Sequence, residues 1–435
     1  MGEGSGQSGQ GQKIGSEREL ERELGREQGQ ARAQKRAALA QGLEQELARP
    51  ILEIEDMSVA FHTPSGVVHA VSGVSWSLRR GEILGIVGES GSGKSVSANA
   101  LMRILPKSAR VTGKIRVLGR DISTQREKEF NLIRGKDIAM IFQDPMTSLN
   151  PLYTVGNQLT ETISQHTGLR GKAARRRAAE LLALVSIPQP ELRLKQFPHE
   201  FSGGMRQRVM IAMALACDPS ILIADEPTTA LDVTIQAQIL QILRDIKERI
   251  STSIVLITHD LGIVADLCDR VNIMYGSQIM EAGATDDIFY RTAHPYTRGL
   301  LNCLPEAAAM RGKKRLVPIA GAPVDLMMLP EGCVFAARCA YCMNVCLKRR
   351  PVPADVEGER HTSRCWRAML KYPWQDAGEP AGAGAEAGQG AEQGAGQYAG
   401  QAAGAGQDAG QSSGRDAGQD AGQGSAAPAG EGVLP

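Results

Sequence analysis

The chain has 435 residues, 49 Lys and Arg against 48 Asp and Glu, 4% aromatic residues and a formal net charge of +1. That length holds one large domain or about two to three ordinary ones. The balanced charge supplies no global basic field, which argues against nucleic acid as a partner, and no run of about 18 apolar residues offers a membrane span. The first residues lack the basic head and apolar core of a secretory signal, so a chain kept in the cytoplasm is expected.

Residues 1–50 are rich in Gly, Gln, Glu and Arg; Ser16 to Arg49 holds helix formers but no apolar stripe, and disorder is expected there. Ile51 to Phe61 and Val67 to Leu78 alternate apolar and polar residues, as strands do. Ile83 to Val87 is a short apolar strand running into a glycine-rich loop and a helix. Further apolar strands are expected at Ile138 to Phe142, Ile221 to Ala224, Ile254 to Ile257, Val271 to Tyr275 and Gln278 to Ala282. A helical insertion occupies about 147–200, including the run Lys172 to Val185. Strands alternating with helices indicate an α/β fold with a mainly parallel core sheet over 51–293. Residues 294–370 form a smaller extension rich in Pro, Arg and Cys, and the Ala-, Gly- and Gln-rich segment 371–435 buries too little apolar surface to offset chain entropy.

Three motifs carry chemistry. Gly88-Glu89-Ser90-Gly91-Ser92-Gly93-Lys94-Ser95 fits the phosphate-binding pattern G-x-x-x-x-G-K-[ST], between a strand and a helix. Its glycines let backbone N–H groups turn towards phosphate oxygens at the positive end of the helix; Lys94 reaches the β- and γ-phosphates of ATP, and Ser95 is placed to ligate Mg²⁺. Downstream, the apolar strand Ile221 to Ala224 ends in Asp225 and Glu226, which suit Mg²⁺ binding and polarisation of a water. Between them lies Phe201-Ser202-Gly203-Gly204-Met205-Arg206-Gln207-Arg208.

That last segment resembles the signature LSGGQ of ABC ATPases, departing from it at Phe201 and Met205. The resemblance covers roughly residues 51–369 and implies the ABC-type nucleotide-binding fold, with an antiparallel β subdomain and a helical insertion. It implies that Ser202, Gly203 and Gly204 bind the γ-phosphate of ATP held by an opposite subunit. It further implies a Q-loop at Gln143, sensing Mg²⁺ and the attacking water, a D-loop at Ala230-Leu231-Asp232, a switch histidine at His259, and adenine stacking by Phe61, a residue that equally suits a strand-edge core.

The runs Gln143 to Pro151, Pro198 to Phe201 and His294 to Thr297 are similar to the ATPases of peptide and nickel importers, and Phe201 to Leu215 with Leu329 to Cys333 looks most like their oligopeptide-permease D-type branch. The resemblance implies an ATP-hydrolysing subunit at the cytoplasmic face of the membrane, powering oligopeptide uptake, with dipeptide or nickel import, or a soluble non-transport ABC ATPase, as the alternatives. It implies a heterodimer with a second ABC ATPase, two integral membrane permeases and an external solute-binding protein; a homodimer also fits.

Five of the eight cysteines, Cys333, Cys339, Cys342, Cys346 and Cys365, crowd together, which in a reducing compartment favours metal binding over disulfides. The spacing C-x5-C-x6-C-x18-C of Cys333, Cys339, Cys346 and Cys365 resembles the tail of peptide-importer ATPases, some of which bind an iron–sulfur cluster. Four thiolates suit a [4Fe–4S] cluster or tetrahedral zinc, and Cys342, in a C-x2-C pair with Cys339, is an alternative ligand. Plain buried or free thiols are the third reading.

Overall fold

The computed structural model describes residues 49–229, 231–250, 252–304, 318–356 and 360–371. The expected disorder in 1–48 and 372–435, and Ala230 of the D-loop segment, lie outside the described residues. In chain order, β1 (Pro50–Thr63) and β2 (Gly66–Arg79) form a hairpin, and β3 (Ile83–Val87) runs through the glycine-rich loop into α1 (Lys94–Leu101). Strands β4 (Ala109–Val117), β5 (Arg120–Asp121) and β6 (Ile138–Ile141) follow, then helices α2 (Val155–Thr167), α3 (Gly171–Leu184) and α4 (Gly203–Ala214). The rest of the core is β7 (Ile221–Asp225), α5 (Val233–Ile250), β8 (Ser253–Thr258), α6 (Leu261–Leu267), β9 (Arg270–Tyr275) and β10 (Gln278–Ala284). Helix α7 (Pro295–Asn302) and the two-residue strands β11 (Ala354–Asp355) and β12 (Thr362–Ser363) come from the extension.

Two sheets result. The first is antiparallel, in the order β2-β1-β4-β5. The second has the order β11-β12-β10-β9-β3-β8-β7-β6; β9, β3, β8, β7 and β6 are parallel, and β10, β12 and β11 continue it antiparallel. Every residue of β3, β6, β7 and β8 is buried, the pattern of parallel strands covered on both faces. Alternate side chains divide between two cores. Ile83, Leu222, Leu256 and Ile273 pack with the helical insertion, while Leu84, Ile223, Val255 and Ile257 pack with the antiparallel sheet and α1. This arrangement brings the carboxyl ends of β3, β6, β7 and β8 to one edge, where open α/β sheets bind ligands. Among the described residues no helix is long and apolar enough to cross a membrane.

Two features differ from the sequence reading. β4 was not anticipated, because most of its length is exposed and carries Arg110, Gly113 and Lys114 in place of a clean alternation. Its register is set by pairing with β1, a long-range contact that a local pattern does not carry. The second feature is that the extension does not stand apart. β12 pairs with β10, and Val334 and Phe335 belong to the same core cluster as the parallel strands.

Candidate active site

The phosphate-binding loop is sterically committed to glycine at two points. Gly93 has φ +101°, and a Cβ there would lie 2.2 Å from the Ala70 carbonyl oxygen of β2; a Cβ on Gly88 would lie 2.1 Å from the Met274 carbonyl oxygen of β9. The loop is therefore clasped between the two sheets. Lys94 Nζ donates to the carbonyls of Gly88 at 2.8 Å and Glu89 at 2.9 Å, curled over the loop. Burial lowers the Lys94 ammonium below its usual range, opposed by Glu226, Asp225 and Glu89. Ser92 Oγ is buried with no hydrogen-bond partner among the described residues. Gly91 and Ser90 complete the turn, Gly91 at φ +78°.

Beside the loop, Ser95 Oγ donates to Asp225 Oδ1 at 2.9 Å, joining the start of α1 to the end of β7. Burial raises the Asp225 carboxyl to about 6; the Ser95 bond and Lys94 oppose that rise and Glu226 adds to it. Hydroxyl and carboxylate oxygens at one point suit Mg²⁺, a hard cation that takes oxygen ligands, and a cation there relieves the cost of burying Asp225. The residues present thus fit the ion.

Glu226 is the hub of the second half of the site. Its backbone turns to φ +46° directly after β7, and its N–H donates to the Ile257 carbonyl of β8 at 2.9 Å. Its Oε2 accepts from Gln143 Nε2, beyond β6, and from Thr229 Oγ1, each at 2.9 Å. His259 Nδ1, beyond β8, stands 3.5 Å from Oε1, with the histidine side chain 64% exposed and Glu226 14%. Residues from three strand ends, 83 residues apart for Gln143 and Glu226, thus converge on one carboxylate.

Other sequence-derived residues lie away from this cluster. Ser202 caps α4, its Oγ accepting from Met205 N at 3.3 Å, and Ser202 and Gly203 are exposed. Asp232 caps α5, accepting from Ile235 N at 3.0 Å. Among the described residues, neither makes a hydrogen bond to the phosphate-binding loop in this single chain. Phe61 lies opposite Val68 in β2, two residues from Ala70, and packs partly buried against the core beneath the antiparallel sheet.

The cysteines give a divided result. Cys333, Cys339, Cys346 and Cys365 line one cavity of about 20 Å³ together with Phe335, Tyr341 and Trp366, room for about one water. Cys342 is exposed, its thiol 3.8 Å from its neighbour's carbonyl. Burial pushes the thiols of Cys333 and Cys339 up to about 12. Among the described residues no three His, Cys, Asp or Glu side chains form a group able to hold a metal ion. The zinc and iron–sulfur expectations therefore find a convergence of thiols without a ligand set. Thiols packed this closely against aromatic rings behave as small apolar side chains.

Sequence reading missed four contributors. Gln207 Nε2 donates to the Pro227 carbonyl at 2.7 Å in a buried bond linking α4 to the Glu226 turn. Thr229 holds Glu226. Tyr296 Oη accepts from Glu89 N at 3.1 Å, and Arg338 Nη1 pairs with Glu89 at 2.7 Å. Gln207 lies within the signature segment and Thr229 beside the Asp225–Glu226 pair; Tyr296 lies in the run His294 to Thr297, whose resemblance does not tell its role, and no local signal marks Arg338 in the extension.

Comparison with known proteins matches the family model described as ABC transporter to residues 71–229, and the oligopeptide/dipeptide transporter C-terminal region to residues 280–346. The chain is 51% identical over 318 residues to an oligopeptide transport ATP-binding protein, OppD, of Bacillus subtilis, covering 73% of this chain and 88% of that one. It is 52% identical over 318 residues to the dipeptide transport ATP-binding protein DppD of the same organism, covering 73% and 94%. The OppD of Salmonella typhimurium is 49% identical over 311 residues, covering 72% and 92%. Among solved structures, a dimeric ATP-binding cassette with ADP and Pi aligns at TM-score 0.49 and 26% identity, covering 54% of this chain and 98% of that one.

Proposed function

The chain belongs to the family of ABC transporter ATP-binding proteins, and from that premise we propose that it hydrolyses ATP to drive oligopeptide uptake as a peripheral subunit at the cytoplasmic face of the membrane. The observation that carries the reading is the convergence of Gln143, Thr229 and His259 on Glu226, beside the Ser95–Asp225 pair. The ATP phosphates lie along the N–H groups of Gly88 to Ser95, with Lys94 uncurling from the Gly88 and Glu89 carbonyls to meet them. Ser95, Asp225 and Gln143 are the residues to hold Mg²⁺, which neutralises phosphate charge when bound. Glu226, steadied by Gln143 and Thr229, orients and polarises the water that attacks the γ-phosphate, and His259 contacts that phosphate. Phe61 stacks on adenine from the edge of the antiparallel sheet.

Exposure of Ser202 and Gly203 supports a composite site in which each subunit's signature closes on the other's ATP, with Asp232 at the same interface. The partner in this reading is a second ABC ATPase, with two integral permeases and an external solute-binding protein completing the importer. Relatives named for oligopeptides and dipeptides support a peptide cargo. A finer proposal concerns the cysteine cavity: a soft-metal centre there, supported by four cysteines lining one small cavity, requires the thiols to shift around it. Anaerobic purification with iron, sulfide and zinc analysis decides it, and absence of all three leaves buried thiols.

The test of the main reading is purification from detergent-solubilised membranes. Co-purification with integral permeases, and ATP-dependent uptake of a labelled oligopeptide after reconstitution, are expected. A chain that binds Mg-ATP but is recovered free of membrane proteins contradicts the transport role.

A further inference from the structure

Glu89, the second residue of the phosphate-binding loop, is tied at three points. Its carbonyl accepts from Lys94 Nζ at 2.9 Å, within the loop. Its N–H donates to Tyr296 Oη at 3.1 Å, and its carboxylate meets Arg338 Nη1 at 2.7 Å. The last two ties come from the extension, and Arg338 lies 249 residues along the chain from Glu89.

Arg338 is itself held. Its side chain is only 6% exposed. Nε donates to the Ala320 carbonyl at 3.1 Å and Nη2 to that of Ile319 at 3.3 Å. The guanidinium carbon lies over the Tyr275 ring, 5.5 Å from its centroid. One turn earlier, Phe335 wedges against Tyr275 and Tyr296, ring centroids 5.2 and 5.3 Å away. Burying an arginine is costly unless a charge and hydrogen bonds answer it, and here the answering charge belongs to the loop that faces the phosphates.

We infer that Arg338 is a positioning residue for the phosphate-binding loop: it fixes Glu89 and cancels a carboxylate charge that otherwise repels the nucleotide's phosphates. The inference rests on the reading that Gly88 to Ser95 holds ATP. Two effects combine. The fork of the guanidinium pins the loop between the Ile319–Ala320 backbone and Glu89. Its charge also removes an anion from the mouth of an anion site, where low dielectric makes such a charge felt. The extension thereby acts as a strut of the nucleotide site.

The test is calorimetric titration of the full chain with Mg-ATP and with Mg-ADP. The wild-type chain is expected to bind both. Arg338→Met is expected to weaken Mg-ATP about tenfold or more, with a smaller loss for Mg-ADP, which carries one phosphate fewer. Adding Glu89→Gln to Arg338→Met removes the repelling charge and is expected to restore affinity to within about threefold of Glu89→Gln alone. Arg338→Lys keeps the charge but not the fork and should fall between wild type and Arg338→Met. It also carries the test alone if Arg338→Met does not fold: affinity equal to wild type overturns the inference. So does an Arg338→Met chain that binds within about twofold of wild type, or a double variant as weak as Arg338→Met. A wild-type chain that binds neither nucleotide refutes the ATPase reading instead.

Discussion

Replacing Asp225 by Asn should stabilise the metal-free chain at neutral pH while impairing Mg-ATP binding. Asp225 is 4% exposed, and burial lifts its carboxyl from 3.8 to about 6. In the unfolded chain it titrates near its ordinary value. Between those two values the folded chain holds a proton that the unfolded chain has released, so stability falls as pH rises, and the loss is complete above the folded value. A rise of about two pH units corresponds to about 3 kcal/mol. Asparagine does not titrate, and its carbonyl can still accept from Ser95. Urea denaturation of both chains in EDTA at about pH 4.5 and about pH 7.5 isolates the ionisation, because the other groups titrate alike in each. The advantage of D225N over wild type should grow by about 2 kcal/mol between the two conditions, part of the rise being already spent at the lower one. No growth, or growth of opposite sign, refutes the burial argument. Saturating Mg-ATP should then favour wild type, by about 2.7 kcal/mol at a hundredfold excess over Kd, and should do little for D225N.

Glu226→Gln keeps the shape of the hub but removes the base; hydrolysis should fall by about 10²- to 10³-fold with the Mg-ATP Kd changed less than about threefold, measured by phosphate release and titration. Gly203→Asp meets open space, with nothing within 4 Å of the new Cβ, so its melting temperature should stay within about 2 °C of wild type. Its hydrolysis in the assembled transporter should nonetheless collapse if, as proposed, this position meets the partner's nucleotide; unchanged turnover refutes the composite site. Glu281 and His361 form a pair at 2.8 Å with both side chains 0% exposed, and Glu281 also accepts from the N–H groups of Ala293 and His294. His361→Ala should therefore cost about 3–5 kcal/mol in denaturation, and a loss under about 1 kcal/mol contradicts the view that this pair fastens β12 to the core.

The parallel strands were legible because they are short apolar runs ending in motif residues, and a buried parallel sheet writes itself that way. Gln143, Asp225, Glu226 and His259 were legible for the same reason, each at or just beyond the end of its strand. What the sequence could not carry was contact between distant segments. Thr229 is an ordinary hydroxyl until the turn after β7 points it at Glu226. Arg338 reads as one of many basic residues in a Pro- and Cys-rich segment until Phe335 docks between Tyr275 and Tyr296. The cysteines show the same limit from the other side: their spacing invites a metal, but spacing does not fix where the thiols point, and here four of them line a small cavity with aromatic rings without forming a ligand set among the described residues.

The central claim, that this chain turns over ATP at Glu226 to drive transport, is tested most directly in proteoliposomes holding the chain with its permeases and ATPase partner. ATP hydrolysis there should rise when peptide-loaded binding protein is added and fall to the unstimulated level when this chain alone carries Glu226→Gln. Stimulated hydrolysis that survives that substitution unchanged contradicts the claim.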